Sequence, residues 1–315
     1  MLTRRRTSIG CLFIFAAWSS VPAGIMVPGP LQLRTPVEQL ESATRVAGAS
    51  HDAVPDTAGL PAGTRLLRNV SYGPNAANKM DIYLPPHPTN AAVLLMVHGG
   101  AWTTGDKATA RMVTNKAAHW VPKGIILIST NYRLLPAADP LEQANDIGKA
   151  LAFAQAQAKS WGGDASRFVL MGHSAGAHLV TLLAADPMIA FRQGAKPWLG
   201  TISLDNATLD VVQTMRAKHY RLYDAAFGRE PNYWEKASPI HRLNGTPQPL
   251  LLVCSTRRSD PCPQARQFAA KIESLGGKAT VIPLDLSHRE INEELGLARD
   301  YTKAVDSFLQ SIGLP

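Results

Sequence analysis

Gly172-His173-Ser174-Ala175-Gly176 stands between Arg167-Phe168-Val169-Leu170-Met171, a short apolar run of strand character, and Ala177 to Ala185, a stretch of good helix formers. A serine placed at so sharp a strand-to-helix turn is forced into a strained backbone conformation that holds its Oγ clear of the sheet. Glycines two before and two after it remove the Cβ atoms that would otherwise collide there. Ser174 is therefore the candidate nucleophile. The N–H of Ala175, next in the chain, is a candidate donor for an oxyanion.

A second piece lies upstream. Ala92-Val93-Leu94-Leu95-Met96-Val97 is a continuous apolar run of the kind found in a strand buried on both faces. It ends in His98-Gly99-Gly100-Ala101-Trp102, whose glycines let the backbone approach a substrate closely. The N–H of Gly100 or Ala101 would join that of Ala175 in holding the oxyanion, and Trp102 directly after them is expected to line the substrate pocket. Taken alone, the segment could be a plain glycine turn.

The serine should be followed along the chain by an acid and then a histidine, each after a later strand. Pro249 to Cys254 is such a strand, and the loop behind it ends in Asp260; Lys278 to Leu284 is the next, followed by Asp285-Leu286-Ser287-His288. His288 is the expected base and Asp260 the acid that orients it, with Asp285 as the rival acid. His98, His173, His178, His219 and His241 do not follow a late strand in this way, and they read as packing or loop-holding residues.

Together these pieces resemble the α/β-hydrolases of the esterase/lipase group, which includes carboxylesterases, feruloyl-esterase-like enzymes and arylformamidases. Met80-Asp81-Ile82-Tyr83-Leu84-Pro85, Asn131-Tyr132-Arg133-Leu134, Trp161 to Arg167 and Ser287 to Asn292 complete the match, which runs from about Arg65 to Phe308. The chain departs from hormone-sensitive-lipase relatives in carrying His-Gly-Gly-Ala-Trp rather than His-Gly-Gly-Gly. Its acid loop is also longer than usual. The resemblance implies a mostly parallel sheet with helices on both faces and a short cap, and hydrolysis of small or medium acyl or aryl carboxylic esters through an acyl-serine. No metal or organic cofactor is implied, since the nucleophile is activated by its own base. Two rivals stand beside this reading: an arylformamidase acting on formylkynurenine, and a catalytically inactive hydrolase fold that only binds.

Alternating strands and helices independently imply a parallel sheet covered on both faces. With 315 residues, 45% of them hydrophobic, the chain can bury one large core. The formal charge of +8 includes Arg4, Arg5 and Arg6, and the remaining cations are scattered, so a nucleic-acid partner is not expected. Those arginines precede the apolar Leu12 to Trp18, too short to span a bilayer, and Val21-Pro22-Ala23 offers small residues for cleavage. Residues 1–23 read as a signal peptide cut near Ala23, giving a secreted or periplasmic protein with no stable membrane insertion once the signal is removed. Cys11 precedes the apolar run, which disfavours a lipid anchor. Residues 24–63 read as an arm or linker and residues 64–315 as the catalytic domain. An aromatic-rich insertion at about 207–240 could cover the pocket or merely pack on the sheet. Cys254 and Cys262 flank the acid loop. In an oxidising compartment they could bridge, or they could be a buried strand-end thiol and an unrelated loop thiol. No cysteine-histidine spacing suggests zinc.

Overall fold

The computed structural model describes residues 59–315. The expected signal peptide and nearly all of the arm lie outside the described residues. Within them runs one eight-stranded sheet in the order β1-β2-β4-β3-β5-β6-β7-β8. The strands are β1 (Arg65–Ser71), β2 (Lys79–Leu84), β3 (Ala91–Val97), β4 (Ile126–Thr130), β5 (Gly163–His173), β6 (Gly200–Leu204), β7 (Leu250–Ser255) and β8 (Ala279–Leu284). β2 is antiparallel to both of its neighbours, and every pairing from β4 to β8 is parallel.

The apolar runs explain that layout. Every residue of β3 and β4 is buried, as a strand covered on both faces requires. Successive side chains of β3 go to opposite faces. Val93, Leu95 and Val97 join one core with Ala144, Ile147 and Leu151 of α2 (Pro140–Gln157) and Leu179 and Leu183 of α3 (Ala175–Ala185). Leu94 and Met96 join the other, with Met112, Val113 and Trp120 of α1 (Ala110–Trp120) and Val305 and Leu309 near the C-terminus. Each of the valine, leucine, isoleucine and methionine side chains, fully buried, contributes roughly 1.5–3 kcal/mol. α2 begins where Asp139-Pro140 predicts: the Asp139 side chain accepts from the Leu141 and Glu142 N–H groups, and Glu142 completes a capping box.

α4 (Met188–Phe191) follows α3. Between β6 and β7 come four short helices, α5 (Val211–Arg216), α6 (Arg221–Phe227), α7 (Pro231–Ala237) and α8 (Pro239–Arg242). The aromatics here divide. Tyr223 and Phe227 are buried inward, while Tyr220 is 76% exposed. α9 (Pro261–Ser274) links β7 to β8, and α10 (His288–Glu293) and α11 (Asp300–Ser311) complete the chain. Among the described residues no helix is long and apolar enough to cross a membrane.

Candidate active site

Ser174 leaves β5 with φ 56° and ψ −118°, in the left-handed half of the map that residues with side chains rarely enter. Its N–H donates to the Leu204 carbonyl at 3.0 Å, and its carbonyl accepts from the N–H groups of His178 at 3.0 Å and Ala207 at 3.2 Å. The strained residue is thus pinned to the end of β6 as well as to α3. A Cβ on Gly172 would run into the Gly176 carbonyl, and one on Gly176 into the carbonyls of Val97 and His98. That crowding is why both flanking positions are glycine. It also sets Ser174 against the loop after β3, since a Cβ on Gly99 would stand 2.9 Å from the Ser174 Cβ.

In that loop Gly100, Ala101 and Trp102 have φ of 122°, 52° and 61°. Among the described residues, the N–H groups of Gly100 and Ala101 donate to no backbone carbonyl. The Ala175 N–H opens α3 and belongs to the first turn, whose donors a helix leaves unpaired. The loop is braced from behind. The Tyr132 hydroxyl donates to the His98 carbonyl at 3.0 Å, and the two rings stack at 4.5 Å. Asn131 accepts from the Lys107 N–H at 2.6 Å and donates to Asp106 at 2.8 Å, while Arg133 grips the buried Asp146 through Nε at 2.7 Å and Nη2 at 3.1 Å. The Asn131-Tyr132-Arg133 stretch is therefore a scaffold for the glycine loop.

Trp102 does not line an open pocket. It is fully buried, stacked edge-on against Phe227 and Tyr223, with its Nε1–H donating to His178 Nδ1 at 3.3 Å. Its left-handed backbone turns the ring inward under the cap helices, where so large an apolar surface is most stable. An indole can only donate, so His178 Nδ1 accepts and its Nε2–H donates to the Ala237 carbonyl at 2.8 Å. Burial pushes this imidazole down to about 4, so it stays neutral.

His288 opens α10, where Ser287 and Glu290 form a capping box. Its carbonyl accepts from His173 Nε2 at 2.9 Å, and the two rings lie 4.5 Å apart. Because His173 directly precedes Ser174, this contact brings the imidazole to the serine turn. Burial, reinforced by the nearby His288 charge, pushes His173 down to about 3, which leaves it a neutral donor.

The acid differs from expectation. His288 Nδ1 lies 2.6 Å from Oδ2 of Asp205, not from Asp260. Asp205 directly follows β6, is fully buried, and is held there by its own N–H on the Val253 carbonyl at 2.8 Å and by the Ser255 N–H on its Oδ1 at 2.8 Å. Burial alone would raise its carboxyl. The hydrogen bond from His288, the Arg258 guanidinium and the Ser255 N–H outweigh that and hold it below the usual carboxylate range. Asp260 instead stands exposed at the start of α9, accepting from the Ser259 hydroxyl at 2.7 Å. The disulfide between Cys254 and Cys262 fastens this loop back on β7, with Cα atoms 5.2 Å apart, and α9 begins directly after Asp260, at Pro261. Asp285 is also spoken for: it is 82% exposed and takes Arg257 Nε at 2.8 Å. Among the described residues no three His, Cys, Asp or Glu side chains group as metal ligands would.

This strand order, strained serine turn and histidine after the last strand define an α/β-hydrolase. The chain is similar to the esterase/lipase group of that fold. Residues 80–196 match the BD-FAE family model. Isoprenylcysteine alpha-carbonyl methylesterase ICME of Arabidopsis thaliana is 26% identical over 237 residues, 69% of this chain and 55% of the relative. Esterase LipQ of Mycobacterium tuberculosis is 28% identical over 261 residues, 76% of this chain and 61% of the relative. The matches thus span little more than half the length of these curated relatives. Among solved structures, a truncated carbohydrate esterase from gut microbiota superposes with a TM-score of 0.67 at 17% identity, covering 81% of this chain and 99% of that one. Esterase B from Lactobacillus rhamnosis gives 0.66 at 16% identity, with 88% and 92% covered, a likeness of fold.

Proposed function

We propose that the protein is a serine carboxylic ester hydrolase in which Ser174 is the nucleophile, His288 the base, and Asp205 the acid that orients it. The 2.6 Å contact from His288 Nδ1 to a buried Asp205 carboxylate carries this reading, because it leaves Nε2 as the nitrogen that can accept a proton, on a ring 4.5 Å from that of His173, the residue before Ser174. Ser174 Oγ adds to the ester carbonyl as its proton passes to Nε2. The resulting oxyanion is met by the N–H groups of Gly100 or Ala101 and of Ala175, each donor being worth roughly 3–4 kcal/mol in comparable sites. The tetrahedral intermediate collapses, and the alcohol leaves with the proton from His288. Water, deprotonated by the same nitrogen, then adds to the acyl-serine and releases the acid with free Ser174.

Esterase names among the relatives favour a carboxylic ester over a formamide as substrate. The leader reading places the enzyme outside the cytoplasm, a setting in which the Cys254–Cys262 bridge would persist. A fluorophosphonate probe should label the protein at Ser174, and Ser174→Ala should lose both the label and the hydrolysis of p-nitrophenyl acetate and butyrate. No labelling of a folded protein would mean an inactive binding fold. Formylkynurenine cleaved in preference to every p-nitrophenyl ester would make it an arylformamidase.

A further inference from the structure

The oxygen that His288 uses is shared. Arg258 Nη1 donates to the same Asp205 Oδ2 at 2.7 Å and lies 3.2 Å from His288 Nδ1. The side chain is 31% exposed, whereas its carboxylate partner is fully buried. A guanidinium this close to a histidine is not neutral in effect. It draws electron density from the carboxylate that would stabilise an imidazolium, and it repels that imidazolium directly. We propose that Arg258 is a positioning residue of the site: by sharing Asp205 Oδ2 with His288 it limits how strongly that carboxylate holds the imidazole in its protonated form. This rests on the serine-hydrolase reading for its catalytic consequence, but not for the electrostatic one.

The surroundings leave Arg258 as the group that does this. From the end of β5, His173 faces His288 as a neutral donor. From α1, Lys116, pushed down to about 7 by burial, acts on His173 rather than on His288 and donates to the Asn292 carbonyl at 2.6 Å and side-chain oxygen at 3.0 Å. From α11, Tyr301 near Asp205 is held un-ionised by burial and donates to the Ile291 carbonyl. On the outer side Arg257 is committed to Asp285 at 2.8 Å and Glu290 at 3.0 Å. Tyr223 of the cap faces Arg258 but gives its hydroxyl proton to the Ala207 carbonyl at 2.7 Å. Among the described residues Arg258 is the one cation within hydrogen-bond distance of both Asp205 and His288. Its loop is closed by the Cys254–Cys262 bridge, which limits how far the guanidinium can stray.

Two readouts test this in the full chain. The first is the pH dependence of kcat/KM for p-nitrophenyl acetate in the parent, Arg258→Gln and Arg258→Lys. Loss of the cation should move the acid limb upward by about one pH unit, so that kcat/KM a unit below the parent midpoint falls about tenfold while the plateau changes far less. Arg258→Lys, which keeps the charge, should recover most of the displacement. The second is the proton-NMR titration of the His288 ring, assigned with His288→Gln, which reads the same displacement whether or not the protein hydrolyses esters. An inactive parent whose His288 midpoint still rises in Arg258→Gln would overturn the serine-esterase reading and leave this inference standing. An unmoved midpoint in Arg258→Gln, or one displaced equally in Arg258→Lys, would overturn it. Amide spectra and melting curves verify that each variant is folded. If Arg258→Gln does not fold, Arg258→Met, similar in length and without a donor, takes its place under the same criteria.

Discussion

The two halves of the site are built on opposite principles. On the oxyanion side the histidines are buried and neutral: His178 bridges Trp102 and the cap, and His98 donates Nδ1–H to the Gly99 carbonyl at 2.7 Å while stacking on Tyr132. Burial pushes both below the ordinary histidine value. On the proton-transfer side the histidine is 37% exposed and sits in a charged cluster with Asp205 and Arg258. The contrast follows from the tasks proposed for the two halves. A pair of backbone donors must keep one position at every pH, which uncharged hydrogen bonds secure. A base must change protonation in each turnover, so it needs access to water and a charge to orient it.

Breaking the neutral half should cost most through geometry. Gly100→Ala places a Cβ against the Thr104 carbonyl at a φ of 122°, so the loop must shift. kcat is expected to fall about 10²–10³-fold, with the fluorophosphonate still reacting slowly at Ser174. Unchanged kcat would show that the loop does not hold the oxyanion.

The neutral half should also show itself in acid. His178 is about 4 when folded against 6.5 in its ordinary state, so the unfolded chain binds more protons between those values. Stability is full above about pH 6.5 and is lost as pH falls toward 4, at up to about 1.4 kcal/mol per pH unit for one such group. His173 adds to this over a similar range, reaching down to about 3. Chemical denaturation between pH 7 and 4 should show the loss, and His178→Gln should flatten it. A slope identical in parent and variant would mean that His178 is not held neutral.

Smaller still should be the effect of the disulfide on the charged half. Closing so short a loop stabilises by about 2–3 kcal/mol in the chain-entropy model. Part of the functional loss on reduction should come from Arg258 straying, so dithiothreitol is expected to depress activity more below neutral pH than above it. Thiol counting on unfolded, unreduced protein should find neither Cys254 nor Cys262 free; two reactive thiols would remove the bridge from the account.

Much of this arrangement could be read in the chain. The serine turn, the glycine loop and the strand before His288 were legible because each is local: a short apolar run, then residues whose backbone only a turn can accept. The acid was not. Asp205 stands immediately after the strand ending at Leu204, and Asp260 five residues past Ser255, so the tighter strand-to-acid spacing was a signal pointing to Asp205. The expected order of strands pointed the other way. Asp205 is fixed toward the imidazole by the Val253 carbonyl and the Ser255 N–H, about fifty residues further along the chain, and no local pattern announces such contacts. Trp102 was misread for a related reason. Its neighbours are near the chemistry, but the left-handed φ at Ala101 and Trp102 turns the ring toward the cap, and sequence does not specify that φ for a non-glycine residue.

The most direct test of the account compares Asp205→Asn with Asp260→Asn at the pH optimum. An asparagine at 205 keeps the shape but presents an amide to Nδ1, which favours the wrong tautomer, so kcat for p-nitrophenyl acetate should fall about 10⁴-fold with the fold intact. Asp260→Asn should stay within about threefold of the parent, as exposed substitutions away from a network generally do. The reverse ranking, with Asp260→Asn crippled and Asp205→Asn active, would contradict the account and return the acid to the loop after β7.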